Sequence, residues 1–434
     1  MTQTLPDEPS SSGSAPPSHL IEIGSREDLV SVLADASTLE HMIMCEYLFA
    51  AFSLKKEESE GVSPQDLEAI RSWEGVITTV AIQEMTHLAL VNNMLTSVGS
   101  GPHFGHPNFP QPSRYFAPNV KLALMPFGDQ ALRHFLYLER PEGMSIEGVP
   151  GFDVLGDLNP PELKGGVTPQ QQYFSTVGNL YRGIEKGFRA LAEKYGEDGL
   201  FIGGRESQAT EEVFGLPGLI RVDGLGAASA AVEGIVEMGE GARGDWEHAH
   251  FGMFLGVFKS FITRRSEDPK FRPTKPVVAA YVRPPVGADN VPLITDQVTG
   301  KVSDLFNASY SLAIGALSRF YIHEADRQKE VRAIADTAVG TMATVIKPIG
   351  NALTRLPVGG RLPGVNAGPT FELQHRDYSL PHREEAMMIL QERLGELSGH
   401  ASAVSDEVQD EAAARDLRSA SRALSDLSKG MVLD

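Results

Sequence analysis

From Val76 to Leu95 the chain reads Val-Ile-Thr-Thr-Val-Ala-Ile-Gln-Glu84-Met-Thr-His87-Leu-Ala-Leu-Val-Asn-Asn-Met-Leu, and Glu84 is its one formally charged residue. A helix that is apolar on all sides belongs inside a protein, and a carboxylate there is expensive unless it is paired or bound to a cation. His87 follows three residues later, which at helical spacing projects it from nearly the face that carries Glu84. Glu-x-x-His on a buried helix is the arrangement with which four-helix bundles hold a dinuclear metal centre. The competing reading is a hydrogen-bonded core pair.

The rest of the 434 residues is consistent with a bundle. Residues 1–24 are rich in Pro, Ser and Gly, a composition that cannot repay the entropy of ordering, and read as a disordered tail. Ser25-Arg-Glu-Asp28 has the form of a helix start, and helical periodicity runs from it to Lys56. Ser63-Pro64 opens a second long helix that stops at Gly99-Ser-Gly101. Residues 101–169 are dense in Gly, Pro and aromatics and read as a long insertion with short β-like stretches such as Val120–Leu124. Helical periodicity returns over 169–195, 225–241 and 248–264, giving a metal-binding bundle over residues 25–268. A helical C-terminal extension over 269–434 is expected to pack on it, with a long helix from Asp304 to Leu356 broken at Pro348 and two helices within 383–428.

Helix 25–56 offers Glu40 within apolar text as a lone carboxylate ligand. Tyr47, two turns further on the same face, is the candidate catalytic residue, one layer from the metal. Glu46 lies on the far side of that helix. His41 and Cys45 read as buried or capping residues, and His103 and His106 as turn-stabilising residues. Glu185 lies between Arg182 and Lys186, a setting that fits a ligand and a solvated face equally. Glu233, Glu237 and Glu240 form a carboxylate stripe that repels itself unless solvent or a cation compensates. Glu247 and His250 make a second literal Glu-x-x-His. Either Glu247 with His250, or Glu237 and Glu240 with His250 brought close by a bulge, would complete the ligand set.

Gly239-Glu-Gly-Ala-Arg-Gly244 matches G-x-G-x-x-G but follows a helix, so the phosphate-cradling geometry is missing. There are 38 basic against 57 acidic residues, a net charge of −19, and nucleic acid and anionic membranes are unsuitable partners. No apolar run reaches the length of a membrane span. A single cysteine and an N-terminus without a targeting pattern lead us to expect a cytoplasmic protein.

Leu39-Glu-His41, Tyr47-Leu-Phe-Ala-Ala-Phe-Ser-Leu-Lys55, Gln83-Glu-Met-Thr-His87, Pro102-His-Phe-Gly-His-Pro-Asn-Phe-Pro110 and Ile235-Val-Glu-Met-Gly-Glu-Gly-Ala242, followed by Ala249-His250-Phe, form a set. The later Asp304-Leu-Phe-Asn-Ala-Ser-Tyr310, Ser318-Arg-Phe-Tyr321 and Ala367-Gly-Pro-Thr-Phe-Glu372 extend it. Together they resemble the ferritin-like domain family related to iminophenyl-pyruvate dimer synthases of bisindole (violacein and chromopyrrolate) biosynthesis. The resemblance covers about residues 25–400. It implies a ferritin-like bundle with metal ligands at Glu40, Glu84, His87, the Glu237/Glu240 pair and His250. It also implies oxidative coupling of amino-acid-derived imines supplied by a partner amino-acid oxidase. The members of that family are much longer, and the match is to their ferritin-like part.

The combined expectation is a mainly α, ferritin-like protein with a dinuclear centre of iron, or of manganese or copper. It would activate O2 or peroxide on a small organic substrate in secondary metabolism, and a homo-oligomer is compatible with it. The alternative is a non-catalytic ferritin-like metal-binding or scaffold protein.

Overall fold

The computed structural model describes residues 21–112, 121–142, 144, 169, 174, 176–241, 246–288, 290–323, 327–374 and 379–431. The described chain is mainly helical: α1 Arg26–Ser53, α2 Pro64–Ser97, α3 Asp129–Leu138, α4 Val177–Tyr195, the single turns α5 Glu197–Leu200 and α6 Glu211–Phe214, α7 Leu225–Gly239, and α8 His250–Glu267. The C-terminal part adds α9 Gln297–Tyr321, α10 Gln328–Gly340, α11 Lys347–Leu353, α12 Arg383–Glu407 and α13 Glu411–Gly430. Two small sheets tie loops together. β1 Gln111–Pro112 pairs antiparallel with β2 Lys121–Leu122, and β3 Val277–Ala279 pairs parallel with β4 Asn366–Gly368.

The expected helix starts are present. The Ser25 side chain accepts the Asp28 N–H, and Ser63 accepts that of Asp66, with Pro64 in the first turn where its missing N–H costs nothing. α1 packs on α2 and α4, α4 on α7, α2 on α7 and α8, and α3 on α8. On another side of α1 lies the C-terminal assembly, in which α9 packs against α10, α11 and α12, and α12 and α13 form a hairpin. One continuous apolar core runs through both parts. Residues 39–47 of α1 are buried on every side for that reason.

Three expectations need correction. The composition predicts a tail to about residue 24; residues 1–20 lie outside the described residues, but Ile21 and Ile23 are buried. They seat on Gly183 and Gly187 of α4, where an added Cβ would come within 2.6 Å of an isoleucine side-chain atom. The insertion at 101–169, in part outside the described residues, contains α3, whose Ala131, Leu132, Phe135, Leu136 and Leu138 are buried. The long C-terminal helix breaks between Tyr321 and Gln328, not at Pro348. A wide π turn over Thr341–Ile346 leads into α11, with Pro348 in the first turn of α11, where a proline is tolerated.

Candidate metal centre

Glu84 and His87 project from the middle of α2 into the bundle, each 2% exposed. α1 contributes Glu40, also 2% exposed, and His250 enters as the first residue of α8. A further carboxylate comes from Glu139, the residue that ends α3. These five side chains form two trios, Glu40–Glu84–His87 and Glu84–Glu139–His250, in each of which three ligand-type atoms lie within 4.8 Å of one another.

Glu84 is common to both trios, and it faces them with different oxygens. Its Oε2 lies 2.9 Å from His87 Nδ1 and its Oε1 2.9 Å from His250 Nδ1. On the outer sides, Glu40 lies 3.7 Å from His87 Nδ1 and Glu139 lies 3.5 Å from His250 Nδ1. Each outer carboxylate is held by a buried tyrosine: Tyr181 of α4 donates to Glu40, and Tyr47 of α1 donates to Glu139. The arrangement is close to symmetric about Glu84: carboxylate, imidazole, shared carboxylate, imidazole, carboxylate.

The electrostatics are those of a cluster that wants positive charge. Burial, then repulsion from Glu84, pushes Glu40 up to about 8, and the same two causes raise Glu139. Burial alone would disfavour the charge on Glu84, yet His87 and His250 override it and hold this carboxyl well below the usual range. Burial likewise opposes the imidazolium forms, but attraction to Glu84 and the outer carboxylates wins, so His87 rises to about 10 and His250 to about 9. Protons therefore stand where cations could. His87 Nε2 and His250 Nε2 are buried with no hydrogen-bond partner, and His250 Nδ1, although near Glu84, is misaligned for one. Orphaned buried nitrogens of this kind cost about 1–3 kcal/mol each. Three carboxylates and two imidazoles are a suitable donor set for iron or manganese, and the residues present fit a dinuclear metal group.

The cavity among these residues is about 10 Å³, and Glu240 and Gly178 line it. That is space for about one water-sized species. Glu240 lies in its wall and outside both trios. Its carboxylate accepts the N–H of Gly178 at 2.8 Å and of Glu142 at 3.2 Å.

Of the residues expected from sequence, the structure brings Glu40, Glu84, His87 and His250 together, and puts Tyr47 on an outer carboxylate. It does not bring Glu185 or Glu237 to them. Glu185 is ion-paired with Arg189 at 2.6 Å on the bundle surface, and Glu237 is exposed on α7. Glu247 is also exposed, because α8 begins only at His250 and the preceding turn does not hold the i, i+3 relation of a helix. Glu139 is outside the expected set because residues 101–169 read as an insertion with short β-like stretches, from which no ligand is drawn. Its signal is present nonetheless: Asp129 in a first turn after Gly128, then an apolar face ending in an acidic residue.

The chain is similar to two curated proteins. It is 26% identical over 412 residues to the dichlorochromopyrrolate synthase of Lentzea aerocolonigenes, covering 87% of this chain and 39% of that protein. It is 22% identical over 394 residues to the 2-imino-3-(indol-3-yl)propanoate dimerase of Chromobacterium violaceum, covering 84% and 36%. It thus spans under two fifths of the length of either relative. A crystal structure of a ferritin-like protein from Caulobacter vibrioides superposes with a TM-score of 0.45 at 16% identity, over 73% of this chain and 96% of that one. The sequence profile described as Ferritin-like matches residues 33–259, just over half of the chain and the span that holds every member of both trios. The chain belongs to the Ferritin-like family.

Proposed function

We propose that this protein is a non-haem dinuclear metal oxidoreductase that activates O2 or peroxide for the oxidation of a small organic substrate, in the biosynthesis of a secondary metabolite. The observation that carries this reading is the shared Glu84, whose two oxygens face two imidazole–carboxylate half-sites. Glu40, Glu84 and His87 would hold one ion, and Glu84, Glu139 and His250 the other. Iron suits the donors best, with manganese or copper as alternatives. When bound, such a pair would take electrons from the organic substrate and deliver them to the small oxidant.

The protein's own residues set the conditions for that chemistry. Tyr47 and Tyr181 fix the outer carboxylates through their hydroxyl hydrogens. The apolar faces of α1, α2 and α7 exclude bulk water, and Ile43 and Ile235 stand at the cavity wall. A cavity of about 10 Å³, with room for about one water-sized species, admits no aromatic substrate. The organic substrate must therefore react at the margin, where Gly178 and Glu240 form the wall, or after these residues move. The substrate class we favour is an imine derived from an amino acid, coupled oxidatively, with an amino-acid oxidase as the partner that supplies it. Similarity to a dichlorochromopyrrolate synthase and to a dimerase whose name specifies an indolyl imino acid supports this choice.

The test is to load the protein with iron and supply it with imines generated in place from aromatic amino acids by an amino-acid oxidase. Oxygen uptake and coupled products are then followed by mass spectrometry. Turnover that is lost in Glu84→Ala, with the helical fold retained, is expected. Metal-loaded protein that consumes no oxidant with any of these imines would instead favour metal storage or scaffolding. Storage would also require a large hollow assembly, visible in the solution mass.

A further inference from the structure

The face of α1 that turns away from the carboxylate centre carries a second group of ligand-type side chains. His41 and Cys45 lie one turn apart on it, His106 approaches from the segment after α2, and Tyr310 comes from α9. All four are at least nine-tenths buried. One ring nitrogen of each histidine and the Cys45 Sγ lie within 4.8 Å of one another. The Tyr310 hydroxyl sits among them, in contact with His41 Nε2, 2.9 Å from His106 Nε2 and 3.5 Å from Cys45 Sγ.

The tautomers make this group unusual. His41 Nδ1 lies 2.9 Å from the Phe104 carbonyl, and His106 Nδ1 lies 2.9 Å from the Pro107 carbonyl. A carbonyl only accepts, so both Nδ1 atoms carry hydrogen and donate. In the neutral rings both Nε2 atoms are then bare lone pairs, and both point at one hydroxyl that has a single hydrogen to give. That hydroxyl can give its hydrogen to only one of the two nitrogens, and a cation is the other kind of group that could satisfy both. Histidines that bind metals characteristically donate the other ring N–H to a carbonyl or carboxylate, which aims the free lone pair at the ion. Burial pushes the Cys45 thiol up to about 12, so it keeps its proton unless a cation replaces it.

We propose that His41, His106 and Cys45, with the Tyr310 hydroxyl as a weaker fourth donor, form a second metal site for a borderline-soft ion of the zinc or copper class. Binding forms two metal–nitrogen bonds and one metal–sulfur bond and releases the thiol proton to solvent. Thiolate and imidazole select such an ion, whereas the carboxylate-rich centre favours a harder one, so donor type alone separates the two sites. A tetrahedral zinc site holds its donor atoms roughly 3.5 Å apart, so on binding the histidine and cysteine donors, now within 4.8 Å, draw together while the Tyr310 hydroxyl moves back from the two Nε2 atoms. The site would pin α9 and the 103–110 segment to α1.

Cobalt(II) is the probe, because only a thiolate ligand gives it a strong near-ultraviolet charge-transfer band and Cys45 is the one thiol in the chain. The full-length protein loaded with cobalt should show that band, and Glu84→Ala should keep it while losing the carboxylate centre. Cys45→Ser should abolish it, and His106→Ala, placed outside the helices, should weaken it at least tenfold in cobalt affinity; circular dichroism verifies that each variant is folded. Added zinc should displace the band. A folded wild-type protein that takes cobalt at the carboxylate centre with no charge-transfer band, or a band that survives in Cys45→Ser, would overturn the proposal.

Discussion

Tyr47 and Tyr181 are buried hydroxyls that each do one thing, which is to hold an outer carboxylate from opposite sides of Glu84. Removing either hydroxyl leaves that carboxylate free to turn. Groups that orient a metal ligand in this way typically contribute 10–100-fold in affinity. Tyr47→Phe should therefore weaken the ion beside Glu139, and Tyr181→Phe the ion beside Glu40, each by about that factor and with the other ion unaffected. Stepwise metal titration of the two variants checks this; equal loss of both ions from either variant would contradict it. Protonation gives a second test. Without metal, Glu40, His87 and His250 hold their protons to about 8, 10 and 9, so at neutral pH a metal must expel them. Affinity should rise steadily between about pH 6 and pH 9, with protons released on binding, as metal–proton competition requires. Calorimetry in buffers of different ionisation enthalpy measures the release, and a pH-independent affinity would refute it.

At the scale of elements, the site was legible where a helix was apolar on all sides and carried a charge. Glu84, His87 and Glu40 stood out for that reason, since a buried carboxylate demands a partner. The literal Glu247-x-x-His250 spacing points to His250 for a reason that does not hold, because α8 starts at His250 and leaves Glu247 exposed. The Glu233–Glu240 stripe looked like a ligand row, yet only Glu240 turns inward, and it is met by two backbone N–H groups. Glu139 could not be placed from local pattern alone, since α3 is short and sits in Gly/Pro-rich text. What brings it to the centre is the packing of α3 on α8, a long-range contact. Gly178→Ala tests the inward turn of Glu240. An added Cβ would lie 2.4 Å from the Glu240 carboxylate, so the variant should lose about 1–3 kcal/mol of stability in urea unfolding. An unchanged midpoint would mean that Glu240 is free to leave.

Across the whole molecule, bundle and extension share one core, and Lys275 shows how tightly they are joined. Its ammonium is buried between the end of α1 and the end of α11, bonded to the Phe52 carbonyl and, at 3.0 Å, to the Thr354 hydroxyl. Burial lowers its pKa from 10.5 to about 8, with Lys56 and Arg355 adding repulsion. The folded chain therefore gives up this proton before the unfolded chain does, and between pH 8 and 10.5 unfolding takes protons up. Stability from this residue rises with pH over that window, by about 3 kcal/mol in total. Urea midpoints of the wild type should climb across it relative to Lys275→Met, and parallel pH profiles would show that the lysine is not buried in solution.

The most direct measurement of the shared-carboxylate centre is the number of ions bound per chain in the wild type, Glu40→Ala, Glu139→Ala and Glu84→Ala, by elemental analysis after iron reconstitution. With the proposed Cys45 site removed by Cys45→Ser in every protein, about two iron ions are expected with the carboxylate centre otherwise intact, about one in each outer variant, and none with Glu84→Ala, as a carboxylate common to two half-sites requires. One ion retained in Glu84→Ala, or both retained in either outer variant, would contradict it.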